Sequence, residues 1–402
     1  MTSPVTLNIL SPWSGTSPFA KPLSEVAAAF QAANPNVTVK INPVAVAQVA
    51  PVFESTTLAG DPADIIITNP IQDALKWVEQ GATVPVSQYM TDWGLEGDLL
   101  PGAQADPSWK TDDGQFRGFP FQSFIWPTWY DKTALASVGV TTAPATADQQ
   151  TALNTALKAK GSKPLYTVGG LDWSGENTFF QIVQTDVSDP DMLKASQTGN
   201  WGDYPGVLKG IQYFVSMRDA GMYSGASKGQ TVDQMTADFY AQHAAGATLV
   251  SDFFAAAPAS LQSNVILSGI PVPAGFVHTK PVVMAGYNSY GFMISKKAST
   301  NSAKLAAIEA FMKYIYQPAE VGKFVTEAAM PPALKATEDA ATTNPMLLQV
   351  TSQAWLDSVD IVTPTEIPAN VASNLTTVLA QAWVPGTSAQ TILKSMEDAY
   401  KQ

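Results

Sequence analysis

The sequence of 402 residues has no cysteine, two histidines and two arginines. Without cysteine, thiol catalysis, disulfides and thiolate metal sites are excluded, although the compartment stays open. His243 and His278 alone cannot build a histidine-rich metal centre. There is no phosphate loop, dinucleotide fingerprint or EF-hand loop, so neither metal nor organic cofactor is expected. Arg117 and Arg218 are the only guanidinium groups among 22 basic residues, and 34 acidic residues leave a net charge of -12. Nucleic acid and anionic membrane are poor partners for such a surface, because both need clustered cations. Scarce arginine also argues against a ligand with many phosphates or carboxylates. No apolar run is long enough for a membrane helix, and Met-Thr-Ser-Pro runs straight into a strand pattern with no signal peptide. Internal repeats, low-complexity runs and disordered linkers are missing too.

What is present is apolar. Apolar residues make up 46% and charged ones 14%, the composition of a well-folded globular protein. The length exceeds what one core usually holds, so two domains or one bilobal unit are expected. Residues 5–10 alternate like a strand. Residues 22–33 put Leu23, Val26, Ala27 and Phe30 on one helical stripe before Asn34-Pro35 stops it. A second alternating strand covers 37–41, a helix 46–58, and a continuous apolar strand 64–68, as expected where both faces are covered. A helix over 71–80 follows. This strand–helix alternation predicts a parallel, doubly wound sheet.

Residues 112–132 then break the pattern. A turn at Asp112-Asp113-Gly114 leads into a stretch rich in aromatic and β-branched residues, interrupted by Gly118, Pro120 and Pro127. Proline cannot donate to a strand ladder, so this stretch must leave one sheet and enter another, or follow an edge. It reads as a crossing between two lobes, with 270–275 as the return. Helices are expected over 149–159, 178–183, 207–219, 235–242, 303–316, 351–356, 371–383 and 388–400. Strands are expected at 165–168, near 245–250, and through 282–294.

Gly225-Ala226-Ser227-Lys228-Gly229 fits the nucleophile-elbow pattern, but no strand precedes it, and it reads as a mobile loop. A glycosidase would need two carboxylates on one sugar ring. Asp172, Glu176 and Asp252 are candidates, yet acids that hydrogen-bond sugar hydroxyls look identical in sequence. The ten tryptophans are the stronger signal. Sugar C–H faces stack on aromatic rings while amides and carboxylates take up the hydroxyls. Trp13 and Asn69 follow strands directly, at the carboxyl ends where doubly wound sheets bind ligands. Phe253 also follows a strand, and Trp173 lies in a glycine-rich loop before a helix. Core packing explains any one tryptophan equally well; Trp109, Trp383 and Trp129-Tyr130 read as packing.

Several of these stretches resemble the extracellular solute-binding proteins of sugar importers, the maltose-binding-protein-like family. Phe30 to Val39 resembles the family's helix end and second strand, and Gly60-Asp61-Pro62-Ala63-Asp64-Ile65 its third-strand entry. Asp113-Gly114 through Gly118 and Pro120, then Trp129-Tyr130-Asp131-Lys132, resembles its crossing, with Asp131 where asparagine is usual. Met330-Pro331-Pro332 resembles a short family loop. The resemblance runs nearly the full length, and its specificity lies in the ordered series of motifs.

It implies a two-lobed α/β periplasmic-binding-protein-like fold, each lobe a doubly wound mixed sheet flanked by helices, with a cleft between. Residues 1–119 plus 275–317 would form one lobe, and 120–274 plus 318–402 the other. The implied ligand contacts are Trp13, Asn69, Phe124, Trp173, Phe253 and Tyr287-Asn288, with Gln122, Trp126, Glu176, Asp252 and Trp355 in the second rank. Phe124 stands where some members place an acid. The implied function is that of a monomeric, non-enzymatic component that closes on an oligosaccharide and delivers it to an ABC permease. Its place would be the periplasm or, lipid-anchored, the cell surface, with an export signal removed. The alternatives are a secreted glycan hydrolase or a lectin-like binder without a transporter.

Overall fold

A computed structural model describes residues 4–401 apart from 16, 71, 162, 332 and 336–343. Twelve strands are described. The first six are β1 (Val5–Ser11), β2 (Val37–Pro43), β3 (Ile65–Thr68), β4 (Phe119–Pro120), β5 (Phe124–Trp126) and β6 (Thr128–Asp131). The others are β7 (Tyr166–Thr167), β8 (Gly246–Thr248), β9 (Val265–Ser268), β10 (Val282–Gly286), β11 (Gly291–Ile294) and β12 (Asp360–Val362). The chain packs as two compact units. One comprises Met1–Phe124, Phe254–Ala256 and Gly286–Leu347, the other Ile125–Phe253, Ala257–Ala285 and Leu348–Gln402.

The first unit carries a five-stranded sheet in the order β2-β1-β3-β11-β4. Its opening follows the alternation in the sequence: β1 runs parallel to β2 on one side and β3 on the other. All four residues of β3 are buried, which explains its unbroken apolar run. The helix Ala20–Ala33 buries Leu23, Val26, Ala27 and Phe30, and Phe30 meets Phe311 of the helix Ser302–Ile315 at 5.2 Å. Buried Asp64 fastens these layers, accepting from the Asn8 N–H at 2.8 Å and from Lys304 Nζ at 2.6 Å.

Three local expectations change in this unit. Residues 282–294 form two strands, because the backbone of Tyr287 is diverted: its N–H bonds Asp106 Oδ2 at 3.2 Å and its carbonyl accepts from Trp109 Nε1 at 2.7 Å. β11 then enters the sheet antiparallel to β3 and β4. Gly291 is required there, since a Cβ would collide with the Phe119 carbonyl and the Trp109 ring. The helix read at 71–80 is a 3-10 turn over Gln72–Lys76; Ile71 lies outside the described residues. The sequence divides the chain near 317, whereas residues up to 347 pack with this unit, the helix Pro318–Ala328 lying on Ala20–Ala33. Met330 and Pro331 are buried, and Pro332 lies outside the described residues.

In the second unit β6 is central, wholly buried and antiparallel to β8 and β9, with β7 parallel to β8. β10 pairs in parallel with β12 in a three-stranded sheet of order β12-β10-β5. The chain returns to the first unit at Gly286, beyond 270–275. Phe214 joins the helices Trp173–Val183 and Pro205–Asp219 to the C-terminal layer, lying 4.9 Å from Phe179 and 4.8 Å from Trp383. Asp131 is completely buried; it accepts from the Thr133 N–H at 2.9 Å and from Asn264 Nδ2 at 2.7 Å. An asparagine could share that capping work, but Asp131 Oδ2 also accepts from Gln242 Nε2 at 3.2 Å and pairs with Lys163, which the carboxylate serves and an amide nitrogen would not.

Candidate functional site

In the first unit the strand register sets Gly291 opposite Thr68 on one side and Pro120 on the other. Asn69, Phe121-Gln122 and Tyr290 therefore lie one step beyond that row, at the carboxyl ends of the parallel strands, and Trp13 follows β1 at the same end. The environments differ. Asn69 and Phe124 are half-buried. Gln122 is fully buried, its N–H held by the Tyr290 carbonyl at 2.9 Å. Trp13 is only 3% exposed. It is ringed by Phe19 at 5.3 Å, Phe324 at 5.6 Å and Tyr290 at 5.9 Å. An aromatic so enclosed is a packing residue on its faces. Its Nε1, like Asn288 Oδ1, is nevertheless buried without a hydrogen-bond partner among the described residues. Such a group costs free energy until water or a ligand hydroxyl meets it. Tyr287, half-buried, packs its ring over Gly102.

The second unit offers a comparable edge. Thr128 stands opposite Thr248 and Ser268, and Thr167 opposite Ala247. Trp126 precedes β6, residues 249–253 follow β8, and Trp173 follows β7, so the register brings these segments to one end of the sheet. Trp126 meets Trp173 edge to face, 5.5 Å between centroids and 74° between planes. Trp126 is buried and its Nε1 has no partner among the described residues, while Trp173 keeps 44% of its surface exposed. Asp252 and Phe253 are half-buried in a 3-10 turn, and the Phe253 carbonyl accepts from the Tyr240 hydroxyl at 2.7 Å. A cavity of about 460 Å3 in this unit, between 221–228 and 383–386, is lined by Ser227 and Trp383 but by none of the twelve implied ligand contacts.

The acids have other employment. Asp172 caps two helices at once. Its Oδ1 accepts from the Ser174 N–H at 3.0 Å and its Oδ2 from the Val232 N–H at 2.7 Å. Glu176 turns toward the helix Ala369–Ala382, where it accepts a hydrogen bond from the Thr376 hydroxyl. Burial pushes its carboxyl up to about 7, against the downward pull of that hydroxyl. Ser227 is the buried residue of a 3-10 turn, and its Oγ accepts from the Val168 N–H at 3.1 Å. Gly225, Ala226, Lys228 and Gly229 around it are exposed, and the loop has no nucleophile-elbow geometry.

Trp355 does a different job. Its Nε1 donates to the Leu267 carbonyl at 2.6 Å, and Gln349 Oε1 accepts from the Leu267 N–H at 2.8 Å. Together these side chains complete the outer edge of β9, which has no strand beyond it among the described residues. Trp355→Phe leaves that carbonyl without its donor. The expected cost is about 1–3 kcal/mol, read as a lower urea midpoint with sugar affinity unchanged. An affinity loss with no change in midpoint would assign Trp355 to the ligand instead.

Leu171 was not singled out in the sequence. It is 50% exposed beside Trp173, and nothing in a lone leucine distinguishes it from a core residue.

The profile of the bacterial extracellular solute-binding proteins matches residues 14–322. Among solved structures, a probable secreted solute-binding lipoprotein from Streptomyces coelicolor is similar over 100% of both chains, with 32% identity and a TM-score of 0.87. A chitin oligosaccharide binding protein shares 20% identity over 99% of this chain and 98% of its own, with a TM-score of 0.84. A protein studied for xylan utilization in the thermophilic bacterium Caldanaerobius polysaccharolyticus shares 20% identity over 98% of this chain and 99% of its own, with a TM-score of 0.82. At that identity the last two speak for the fold alone. A search of curated protein sequences finds no match.

Proposed function

Because the chain belongs to the bacterial extracellular solute-binding proteins, we propose that it captures an oligosaccharide and delivers it to the permease of an ABC importer. Hinge closure is the step that encloses the ligand, favoured by whatever contacts the closed form alone can make. The protein works outside the cytoplasm, as a monomer, anchored by lipid or free in the periplasm, and it leaves its sugar chemically unchanged. The chitin oligosaccharide protein and the xylan-related protein share the fold, which supports a glycan among the possible solutes.

One observation carries the sugar reading. Trp173 is an exposed aromatic ring, braced by Trp126, at the strand-end edge of its sheet. Exposing an indole to water is unfavourable, and a fixed, flat, half-exposed ring is the surface on which a pyranose face stacks. The reading also uses the buried unpartnered polar atoms of Trp13, Trp126 and Asn288, which have hydrogen bonds left to make.

Thermal unfolding against mono- and oligosaccharides tests it. A ligand at a hundredfold excess over Kd adds about 2.7 kcal/mol and raises the midpoint by several degrees. Trp173→Ala is expected to weaken the best sugar by about 2 kcal/mol, roughly thirtyfold. Recovery of the sugar intact supports transport binding. Cleavage would transfer the protein to the hydrolases, and no shift with any sugar would sink the carbohydrate assignment.

A further inference from the structure

We propose that Leu171 is a specificity-determining residue, which together with Trp173 forms one rigid apolar platform selecting sugars that carry a methyl beside the ring face. An N-acetylated amino sugar is such a ligand. The inference rests on the sugar-binding reading above and narrows it.

The local backbone builds this platform. Asp172 is the residue before the helix Trp173–Val183, with φ -134° and ψ -171°. Asp172 points inward to its two helix caps, while Leu171 before it and Trp173 after it both face solvent. They are 50% and 44% exposed.

The loop is also locked. The Gly170 N–H donates to the Ser227 carbonyl and the Leu171 N–H to the Gln230 carbonyl, both at 3.0 Å. A Cβ on Gly170 would lie 2.7 Å from the Ser227 oxygen, and one on Gly175 would lie 2.5 Å from the Gly169 oxygen. These glycines are present because backbone approaches backbone on both sides of the loop. Trp126 packs edge-on against Trp173. A loop so tied cannot fold its two large apolar side chains inward, and their exposure is therefore part of the fold.

Chemistry then sets the preference. Trp173 supplies a stacking surface open to any pyranose. Leu171 supplies no hydrogen bond. A hydroxyl placed against it would lose water and gain nothing, whereas a methyl buried there gains the transfer free energy of its surface. The leucine therefore discriminates where the tryptophan does not.

Titration calorimetry of the full chain with triacetylchitotriose and cellotriose, equal in length and linkage, tests this. The wild type is expected to bind the acetylated sugar about fivefold tighter or more. Leu171→Ser is expected to reduce that ratio to below about twofold while cellotriose affinity moves by less than about twofold. Trp173→Ala should weaken both sugars alike. Equal loss of both sugars in Leu171→Ser, no change in either, or a wild type that prefers cellotriose would each overturn the proposal. A wild type that binds neither trisaccharide but binds another sugar through Trp173 overturns it too, leaving the sugar-binding reading intact. A wild type that binds no sugar at all brings down both.

Discussion

Glu176→Gln is expected to stabilise the protein by about 3 kcal/mol above pH 7 and to change nothing near pH 4.5. The carboxyl titrates at 4.5 when unperturbed and at about 7 in the folded chain, because burial penalises its ionised form more than the Thr376 hydroxyl supports it. Below 4.5 both folded and unfolded states hold the proton, and the residue costs nothing. Between 4.5 and 7 the unfolded chain releases it first, so stability falls as pH rises. Above 7 the folded state must ionise a carboxyl that the surrounding helices have desolvated. The cost then levels off at roughly 1.4 kcal/mol for each unit of separation. Glutamine keeps the size and the carbonyl that accepts from Thr376 and removes the charge. Urea midpoints of both proteins across pH 4 to 9 measure the difference directly. Parallel curves would mean that Glu176 is solvated, and that its place against the C-terminal helix is wrong.

How much of this was legible in the sequence depends on range. The opening β1, β2 and β3 were readable because their order rests on local periodicity: alternation in β1 and β2, a continuous run in β3, a four-residue stripe on the helix between. The places of the two strands completing that sheet were not. β4 has two residues and is placed by its pairing with β11, while β11 follows a diverted loop and is fixed by contacts with β3 and Trp109 far away in the chain. The same limit separates the two tryptophans placed at strand ends. Trp13 and Trp173 look alike in sequence, yet Phe19, Phe121, Tyr290 and Phe324 enclose the first, while Trp126 braces the second edge-on and leaves it 44% exposed. Leu171 gave no signal, since an apolar residue is assigned to the core by default. Asp172 did give one. An aspartate directly before a helix is the usual capping pattern, and reading it as a candidate acid put chemistry ahead of the simpler local use.

Asp172→Ala therefore has a large expected effect of the opposite sign. Two helices lose their first-turn acceptor together, Trp173–Val183 at the Ser174 N–H and Val232–Tyr240 at the Val232 N–H. Each lost cap costs about 1 kcal/mol, and leaving a partly buried N–H without an acceptor adds to it, so about 2–4 kcal/mol is expected. The loss reaches binding as well. Asp172 is the inward-pointing member of the triplet that presents Leu171 and Trp173, and without its caps the platform loses its fixed angle. Sugar affinity is expected to fall by at least as much as in Trp173→Ala, roughly thirtyfold. Asp172→Asn separates capping from charge. Its carbonyl oxygen still accepts from Ser174, but its amide sets a donor against the Val232 N–H, so an intermediate loss of both stability and affinity is expected. Urea midpoints and calorimetry on the same samples decide the matter. If Asp172→Ala unfolds at the wild-type midpoint yet binds no sugar, the carboxylate touches the ligand directly and the capping account fails. If stability and affinity fall together and asparagine restores part of each, the loop binds its ligand through the rigidity those two hydrogen bonds give it.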